Sequence, residues 1–444
     1  MSALARYYKH EGYAVAGYDR VESPLTKQLE AEGIPVHYVD DIALIPNQYK
    51  TGAENALVIY TPAVPNDHSE LQYYRTNGYN VVKRSAVLGL IAKNKYTFAI
   101  AGTHGKTTTS TLLAHLLASA GNGCTAFLGG ISKNYHTNLL LSSSKYLVAE
   151  ADEFDRSFLQ LFPQAAIITS ADADHLDIYG TDEEIKKAFA EFASQVKPDG
   201  LLVVKKGVAI KLPSNGQTIY RYAYNEPCDF YAANIAPIGN GHFTFDIHTP
   251  NSIISDCTLG IPGWVNIENA VAATALALSV GIDKNKLKDA LASFAGVERR
   301  FDVQLNTSST TYIDDYAHHP EELKAALSSI RQMFPERKLT AIFQPHLYTR
   351  TRDFYVEFAK SLSMADEIIL LDIYPARELP IEGITSQIIY DNIANSHKQL
   401  CEKKDLLDIL KNKKDIDVLV TLGAGDIDRF VKPITALLKE RAEK

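Results

Sequence analysis

Short runs of β-branched and other apolar residues recur along the chain, and most are followed by a stretch with apolar positions at helical spacing. Strand-then-helix alternation of this kind predicts parallel sheets flanked by helices, the α/β class. Residues 1–95 read as a helix at 2–11, a strand at 13–18, a helix at 24–32, and strands near Val36 and at 56–60. Residues 96–298 open on an apolar strand at Tyr96 and add strands at 145–150, 165–170 and 201–205. A β-rich stretch from about 218 to 260 follows, then two helices at about 265–280 and 284–294. The pattern starts afresh near residue 300, where strands at 311–314, 339–344, 367–372 and 418–422 alternate with helices, the last from about Ile427. Three domains are expected, 1–95, 96–298 and 299–444, with linkers near 93–97 and 296–301. The first element is a helix with no strand before it, although the pattern after it needs one to complete a nucleotide-type sheet.

Composition narrows the class of function. At 444 residues the chain exceeds one comfortable core, and its 46% apolar and 22% charged content is that of a globular protein. The net charge of −8, without a long Lys/Arg block, argues against nucleic-acid or membrane-surface binding and leaves anionic ligands to local groups. Cys124, Cys228, Cys257 and Cys401 are scattered with no CxxC pair, so neither a disulfide framework nor a zinc site is expected, and a reducing, cytoplasmic setting is. No apolar run approaches the ~20 residues that span a bilayer.

Residues 96–112, YTFAIAGTHGKTTTSTL, run from an apolar strand through a glycine-bracketed turn into a helix. That order builds a phosphate cradle: turn N–H groups and the helix N-terminus face the phosphates, Lys106 reaches the terminal ones, and the Thr107 hydroxyl ligates Mg²⁺. A bare GKT is often an ordinary exposed turn, but the strand before and helix after favour phosphate. Gly102 and Gly105 stand three apart, against five in the common P-loop pattern, which marks a particular subtype.

Other polar groups gather at predicted strand ends, the edge where open α/β sheets bind ligands. KYLVAEADEFDRSF delivers Glu150 and Asp152, and ITSADADHLDIYG delivers Asp174, His175 and Asp177. Oxygen ligands with one imidazole suit Mg²⁺ or Mn²⁺ better than zinc. IPGWVNIENAVAATALAL sets Asn266 and Asn269 at the start of a helix, where capping explains at most one of them. VERRF places Arg299 and Arg300 at a junction, as a solvated pair or as a phosphate clamp. TYIDDYAHHPEEL concentrates Asp314, Asp315, Tyr316, His318 and His319, too polar a set for a core. AIFQPHLYTRTRDF adds His346, Arg350 and Arg352, while LLDIYPARELPIEG and TLGAGDI end two further strands. A second ligand cleft in the C-terminal domain is expected.

Together GTHGKTTT, AEADE, DADHLD, GVERRF, DDYAHHPEE, FQPHLYTRTRDF, YPARELPIEGI and GAGDI occur in family order along nearly the whole chain. In these the chain resembles the Mur ligases, the ATP-dependent peptide-bond-forming enzymes of peptidoglycan precursor synthesis. DEFDRSFLQLFP and FQPHLYTRTRDF point within that family toward addition of L-alanine rather than toward murein-peptide recycling. The resemblance implies a Rossmann-like N-terminal domain, a central P-loop ATPase domain with a parallel sheet plus a β-rich portion, and a Rossmann-like C-terminal domain. It implies that ATP activates the lactyl carboxylate of UDP-N-acetylmuramate as an acyl phosphate, which the amine of L-alanine then attacks. Small-molecule substrates, no nucleic acid, no membrane, and a monomer or weak homodimer are expected.

Residue by residue, the resemblance implies ATP phosphates on Gly102, Thr103, His104, Gly105, Lys106, Thr107 and Thr108, and Mg²⁺ (or Mn²⁺) at Thr107, Glu150 and His175. Asn269 would contact adenine, and Arg299 and Asp314 would complete the nucleotide site. Tyr316, His318, His346 and Arg350 would line the amino-acid end. Asp19 would sit by the uridine nucleotide, and His136 and Asn138 near the muramyl group. Lys106, Glu150, His175, His318 and Arg350 would form the catalytic set. The chain departs from the family pattern at Val265, where a histidine is usual, and at Leu347, where many relatives carry arginine. Relatives also begin with a strand and a glycine-rich turn, GxGGxGMSALA, whereas this chain begins at MSALA; an internal methionine taken as the start is the expected explanation. Two alternatives stay open: a related ligase adding another amino acid or a peptide, and a nucleotide-binding protein whose ligase activity is impaired for want of that turn.

Overall fold

The computed structural model describes every residue except His175, Arg377, Lys414, Glu443 and Lys444, and, within an element, the side chains of Leu176 and Asp177. The chain divides into two compact units. One comprises Met1–Ala223, Pro227–Phe230 and Ala272–Ala290; the other comprises Tyr224–Glu226, Tyr231–Val271 and Leu291–Lys444. Among the described residues no helix is long and apolar enough to cross a membrane.

The first unit opens with the helix Ser2–His10, followed by β1 (Gly17–Tyr18), the helix Pro24–Ala31, β2 (Val36–His37), β3 (Leu57–Tyr60), the helix Ser69–Thr76, β4 (Asn80–Lys83) and the helix Arg84–Lys93. Parallel pairs form between β1 and β2 and between β3 and β4. The helix Pro24–Ala31 starts on a capping box, with the Ser23 hydroxyl accepting from Thr26 N while Thr26 Oγ1 accepts from Ser23 N. The strand expected at 13–18 shrinks to Gly17–Tyr18. Its partner β2 offers only two residues, and Tyr13 N is spent on Tyr8 O at the end of the preceding helix.

The large sheet of this unit is built from β5 (Tyr96–Ala101), β6 (Thr125–Ser132), β7 (Thr137–Leu140), β8 (Tyr146–Ala151), β9 (Ala165–Ile168), β10 (Leu201–Lys205) and β11 (Thr218–Ala223). They lie in the order β11-β10-β9-β5-β8-β6-β7, parallel throughout except for the β6–β7 hairpin. The sequence pattern did not announce that hairpin, because its inner residues are a glycine pair and a polar turn rather than an apolar run. Phe98, Ala99, Ile100 and Ala101 of β5 are fully buried, as a strand covered by helices on both faces requires. Register puts Ala101 beside Ala151 of β8 and Ile168 of β9, so three strands end level with one another.

In the second unit β12 (Phe230–Gly239), β13 (His242–Thr249) and β14 (Ser252–Thr258) form an antiparallel meander. The β12–β13 turn is Asn240-Gly241, both with positive φ (52° and 76°), the conformation a tight hairpin demands. The remaining strands are β15 (Asp302–Asn306), β16 (Thr311–Asp315), β17 (Leu339–Phe343), β18 (Glu367–Leu371), β19 (Lys398–Cys401) and β20 (Val418–Leu422). Their order is β15-β16-β20-β17-β18-β19, with only β15 antiparallel to its neighbour. The edge strands β15 and β19 went unread: β15 is short and alternates polar with apolar residues, and β19 is only four residues, two of them polar. The predicted strands at 311–314, 339–344, 367–372 and 418–422 all appear within a residue of their expected ends.

Phe158, fully buried, stacks on Phe192 (centroids 5.1 Å apart) and meets Phe189 edge-on at 5.2 Å. It anchors the turn that follows β8 to the helix Asp182–Ser194. Phe158→Ala is expected to destabilise the first unit by about 3–5 kcal/mol, read as a lower urea midpoint of its unfolding transition.

Candidate active site

Strand β5 gives way to the turn at Gly102, whose φ of +138° no other residue readily adopts and where a Cβ would overlap Thr169 Oγ1. Gly105 (φ +81°) caps the helix Lys106–Ser119, and having no side chain it leaves the first-turn N–H groups to an external acceptor. The turn is tied to the end of β9. Ser170 Oγ accepts from His104 N at 2.9 Å and lies 2.8 Å from Thr103 Oγ1, while Thr169 Oγ1 donates to the carbonyls of Ala101 and His104. Thr107 and Thr108 are buried at the helix start.

Two acidic side chains from the end of β8 meet this loop. Thr107 Oγ1 donates to Glu150 at 2.9 and 3.1 Å, and Gly129 makes room, since a Cβ there would overlap the Glu150 carboxylate. A hydroxyl and a carboxylate side by side at an uncapped helix start are a donor set that fits a hard divalent cation carrying phosphates. The second acid, Glu153, was not singled out in the sequence. Its signal was the acidic pair Asp152-Glu153 that closes AEADE. Lys106 Nζ lies 2.7 and 2.9 Å from the two Glu153 oxygens and donates to Gly102 O at 2.6 Å. Burial pushes the Glu153 carboxyl up to about 7, against the pull of Lys106. Burial opposes the Lys106 ammonium, but Glu153, Asp152 and Glu150 outweigh it and hold its pKa above the ordinary lysine value. His175 lies outside the described residues, as does the Asp177 side chain; Asp174 is buried.

The other residues expected in this unit are spread out. Asp19 is exposed at the end of β1, its carboxylate accepting from Val21 N at 3.1 Å. His136 is exposed in the β6–β7 turn with φ 54°. The Asn138 amide donates to Ser2 Oγ (2.9 Å) and accepts from Arg6 (3.1 Å), and Arg6 in turn grips Glu32 through two 2.7 Å contacts. Asn138 thus joins the first helix to β7.

The second unit gathers its own set at the ends of β16, β17 and β20. Asp314 is fully buried, accepts from Thr421 Oγ1 at 2.7 Å and pairs with Arg299 Nε at 3.3 Å. Burial raises its pKa against the pull of Arg299. Arg299 also donates to Gly423 O at 2.7 Å. Both Arg299 and Arg300 lie over the Tyr316 ring, at 5.2 and 4.7 Å. From Tyr316 a row of rings continues through His318 (5.3 Å) and His346 (5.7 Å) to Tyr374 (5.8 Å). Arg350 is buried in the first turn of the helix Tyr348–Leu362. Leu347, just before that helix, holds φ +70°, a strained setting for a branched residue, and donates its N–H to Tyr374 O. Asn266 spends its amide on Pro262 O (2.6 Å), the bland capping-type role; Asn269 is buried one turn on. The structure therefore brings Tyr316, His318 and His346 together and joins Arg299 to Asp314.

Family models match three successive stretches: "Mur ligase family, catalytic domain" at residues 1–96, "Mur ligase middle domain" at 100–277 and "Mur ligase, glutamate ligase domain" at 299–425. The chain is 51% identical over 444 residues to the UDP-N-acetylmuramate–L-alanine ligase of Phocaeicola vulgatus, covering 99% of this chain and 96% of that protein. It is 51% identical over 443 residues to the enzyme of the same name from Porphyromonas gingivalis, with the same coverage. The crystal structure of a UDP-N-acetylmuramate–alanine ligase from Thermotoga maritima matches with a TM-score of 0.79 at 27% identity, over 100% of this chain and 97% of that one.

Gly129→Ala is expected to push the Glu150 carboxylate away from Thr107. Calorimetric titration of Mg²⁺ in the presence of ADP should then show affinity about tenfold weaker, with folding intact by circular dichroism.

Proposed function

The chain belongs to the Mur ligase family, and on that premise we propose that it joins L-alanine to the lactyl carboxylate of UDP-N-acetylmuramate, with ATP converted to ADP and phosphate, in peptidoglycan precursor synthesis. The observation that carries this reading is identity of 51% to an L-alanine ligase along 99% of the chain. The phosphate loop agrees with it: a glycine-capped helix start in which Thr107 bonds Glu150 while Lys106 bonds Gly102 O and Glu153.

In this reading the loop N–H groups of residues 102–108 and the start of the helix Lys106–Ser119 hold the ATP phosphates, and Lys106 neutralises the terminal ones. Thr107 and Glu150, with His175 by family resemblance, would hold Mg²⁺, which when bound neutralises phosphate charge. Asn269 contacts adenine, and Arg299 and Asp314 complete the nucleotide end. The lactyl carboxylate attacks the terminal phosphorus, the bond to ADP breaks, and an acyl phosphate forms. The alanine amine then attacks its carbonyl carbon, losing a proton as phosphate leaves. Tyr316, His318, His346 and Arg350 face the amino acid. The fixed guanidinium fork of Arg350 is suited to a carboxylate, and a ring nitrogen of His318 or His346 to the amine proton. Asp19, His136 and Asn138 serve the UDP-sugar, Asn138 doing so from its place against the first helix. No covalent enzyme intermediate is needed, because positioning and charge stabilisation suffice for phosphoryl and acyl transfer. The domains are proposed to be 1–95 for the UDP-sugar, 96–298 for ATP and 299–444 for the amino acid. We further propose a cytoplasmic enzyme, monomeric or weakly dimeric.

The test is phosphate release in the presence of ATP, Mg²⁺ and UDP-N-acetylmuramate. Release that depends on L-alanine is expected. Release with a tripeptide instead would replace this reading by that of a sibling ligase, and none with either, while ADP still binds, would leave a non-catalytic nucleotide binder. Lys106→Ala is expected to lower kcat/KM for ATP by about a hundredfold or more, checked in the same assay.

A further inference from the structure

An ammonium has three N–H donors, and those of Lys106 are accounted for by Gly102 O and the two oxygens of Glu153, with Thr103 O a longer contact at 3.5 Å. A phosphate oxygen can therefore reach Lys106 at full strength only if one of these acceptors gives way. Gly102 O belongs to the turn itself. Glu153 is the acceptor that carries charge.

Neighbouring acids are engaged elsewhere: Glu150 on Thr107, and Asp152 toward Arg84 at 3.6 Å. Glu153 is also built into place rather than draped across the loop. Its side chain is 1% exposed, and its carbonyl accepts from Tyr179 Oη at 2.6 Å and from Arg156 N at 3.0 Å. Two and three residues further on, Asp155 and Arg156 both hold left-handed φ (54° and 53°), a conformation kept only where the surroundings over-determine it. Phe158 then locks the turn into the core. A buried carboxylate at the head of a strained, anchored turn, set on the loop lysine, is a device for holding that lysine.

We propose that Glu153 is a positioning residue, the internal counter-ion that nucleotide phosphates displace from Lys106, and that it thereby sets how tightly the site holds ATP and how readily it releases ADP. The proposal rests on the phosphate-loop reading given under Proposed function. Its sign follows from electrostatics. Breaking a buried pair by removing one partner leaves the other charge uncompensated, and an arriving anion then relieves that cost. Removing the Glu153 charge should tighten nucleotide binding, whereas removing Lys106 should weaken it.

The experiment is calorimetric titration of the full chain with Mg-ADP, using wild type, Glu153→Gln, Glu153→Asp, Lys106→Met and the double variant Lys106→Met/Glu153→Gln. Glu153→Gln is expected to bind Mg-ADP at least about tenfold more tightly. KM for ATP and kcat should fall together, because ADP leaves more slowly, and Glu153→Asp, which keeps the charge, should stay nearer to wild type. In the Lys106→Met background the Glu153→Gln change should move affinity less than about twofold. Unchanged or weaker binding by Glu153→Gln overturns the proposal. So does an equal gain in both backgrounds, which would mean that Glu153 repels phosphate directly. If Glu153→Gln fails to fold, recovery of folding in the double variant supports an orphaned Lys106 charge, and failure of both assigns Glu153 a purely structural role and overturns the proposal. Wild type that binds no Mg-ADP refutes the phosphate-loop reading itself.

Discussion

Strands β5, β8 and β9 are buried on both faces along their length, so the chain can place polar chemistry only where they end. Parallel pairing with Ala101 level with Ala151 and Ile168 brings those three ends to one line. The phosphate turn, the acids Glu150 and Glu153, and the hydroxyls Thr169 and Ser170 emerge together for that reason. Each polar group then has to be satisfied by its neighbours, because apolar packing begins one residue earlier. The glycines follow from the same crowding: Gly102 and Gly129 stand where a Cβ would overlap Thr169 and Glu150. The second unit repeats the logic at the ends of β16, β20 and β17, where Asp314 and Thr421 meet and Arg299 is drawn to Gly423.

Charge is handled differently at the two sets of strand ends. In the first unit a cation and an anion are buried against each other, an arrangement whose strength depends on what else approaches it. In the second unit two guanidinium groups spread over the Tyr316 ring, and the row of rings from Tyr316 to Tyr374 offers faces and ring nitrogens rather than fixed charge. Backbone strain accompanies both. Asp155 and Arg156 follow Glu153, while Arg299, Phe301 and Leu347, all with positive φ, border the second cluster. Strain at such points is tolerated when it fixes side chains that the chemistry needs.

The α/β class and most central strands were legible because each is an apolar run of ordinary length. Lys106 and Thr107 were legible because a strand–turn–helix order states what the turn is for, and Glu150 because it closes an apolar strand run. Glu153 was harder to see. An acid two residues beyond a strand normally faces solvent, whereas Glu153 is buried on Lys106 at the start of a turn with left-handed residues at Asp155 and Arg156. The Asn138 link to Ser2 and Arg6 was equally hidden, since it joins residues 132 or more positions apart. Edge strands β15 and β19 escaped because four or five residues, about half of them polar, resemble a polar loop. His175 was chosen from a strand-end motif and lies outside the described residues.

In the proposed reaction the phosphate loop activates a carboxylate before the amine arrives. The direct measurement is oxygen-isotope transfer, with ¹⁸O placed in the lactyl carboxylate of UDP-N-acetylmuramate and the phosphate analysed after turnover with ATP and L-alanine. Activation through an acyl phosphate predicts one ¹⁸O atom in each phosphate released. Phosphate free of ¹⁸O, alongside normal formation of the alanyl product, would contradict it.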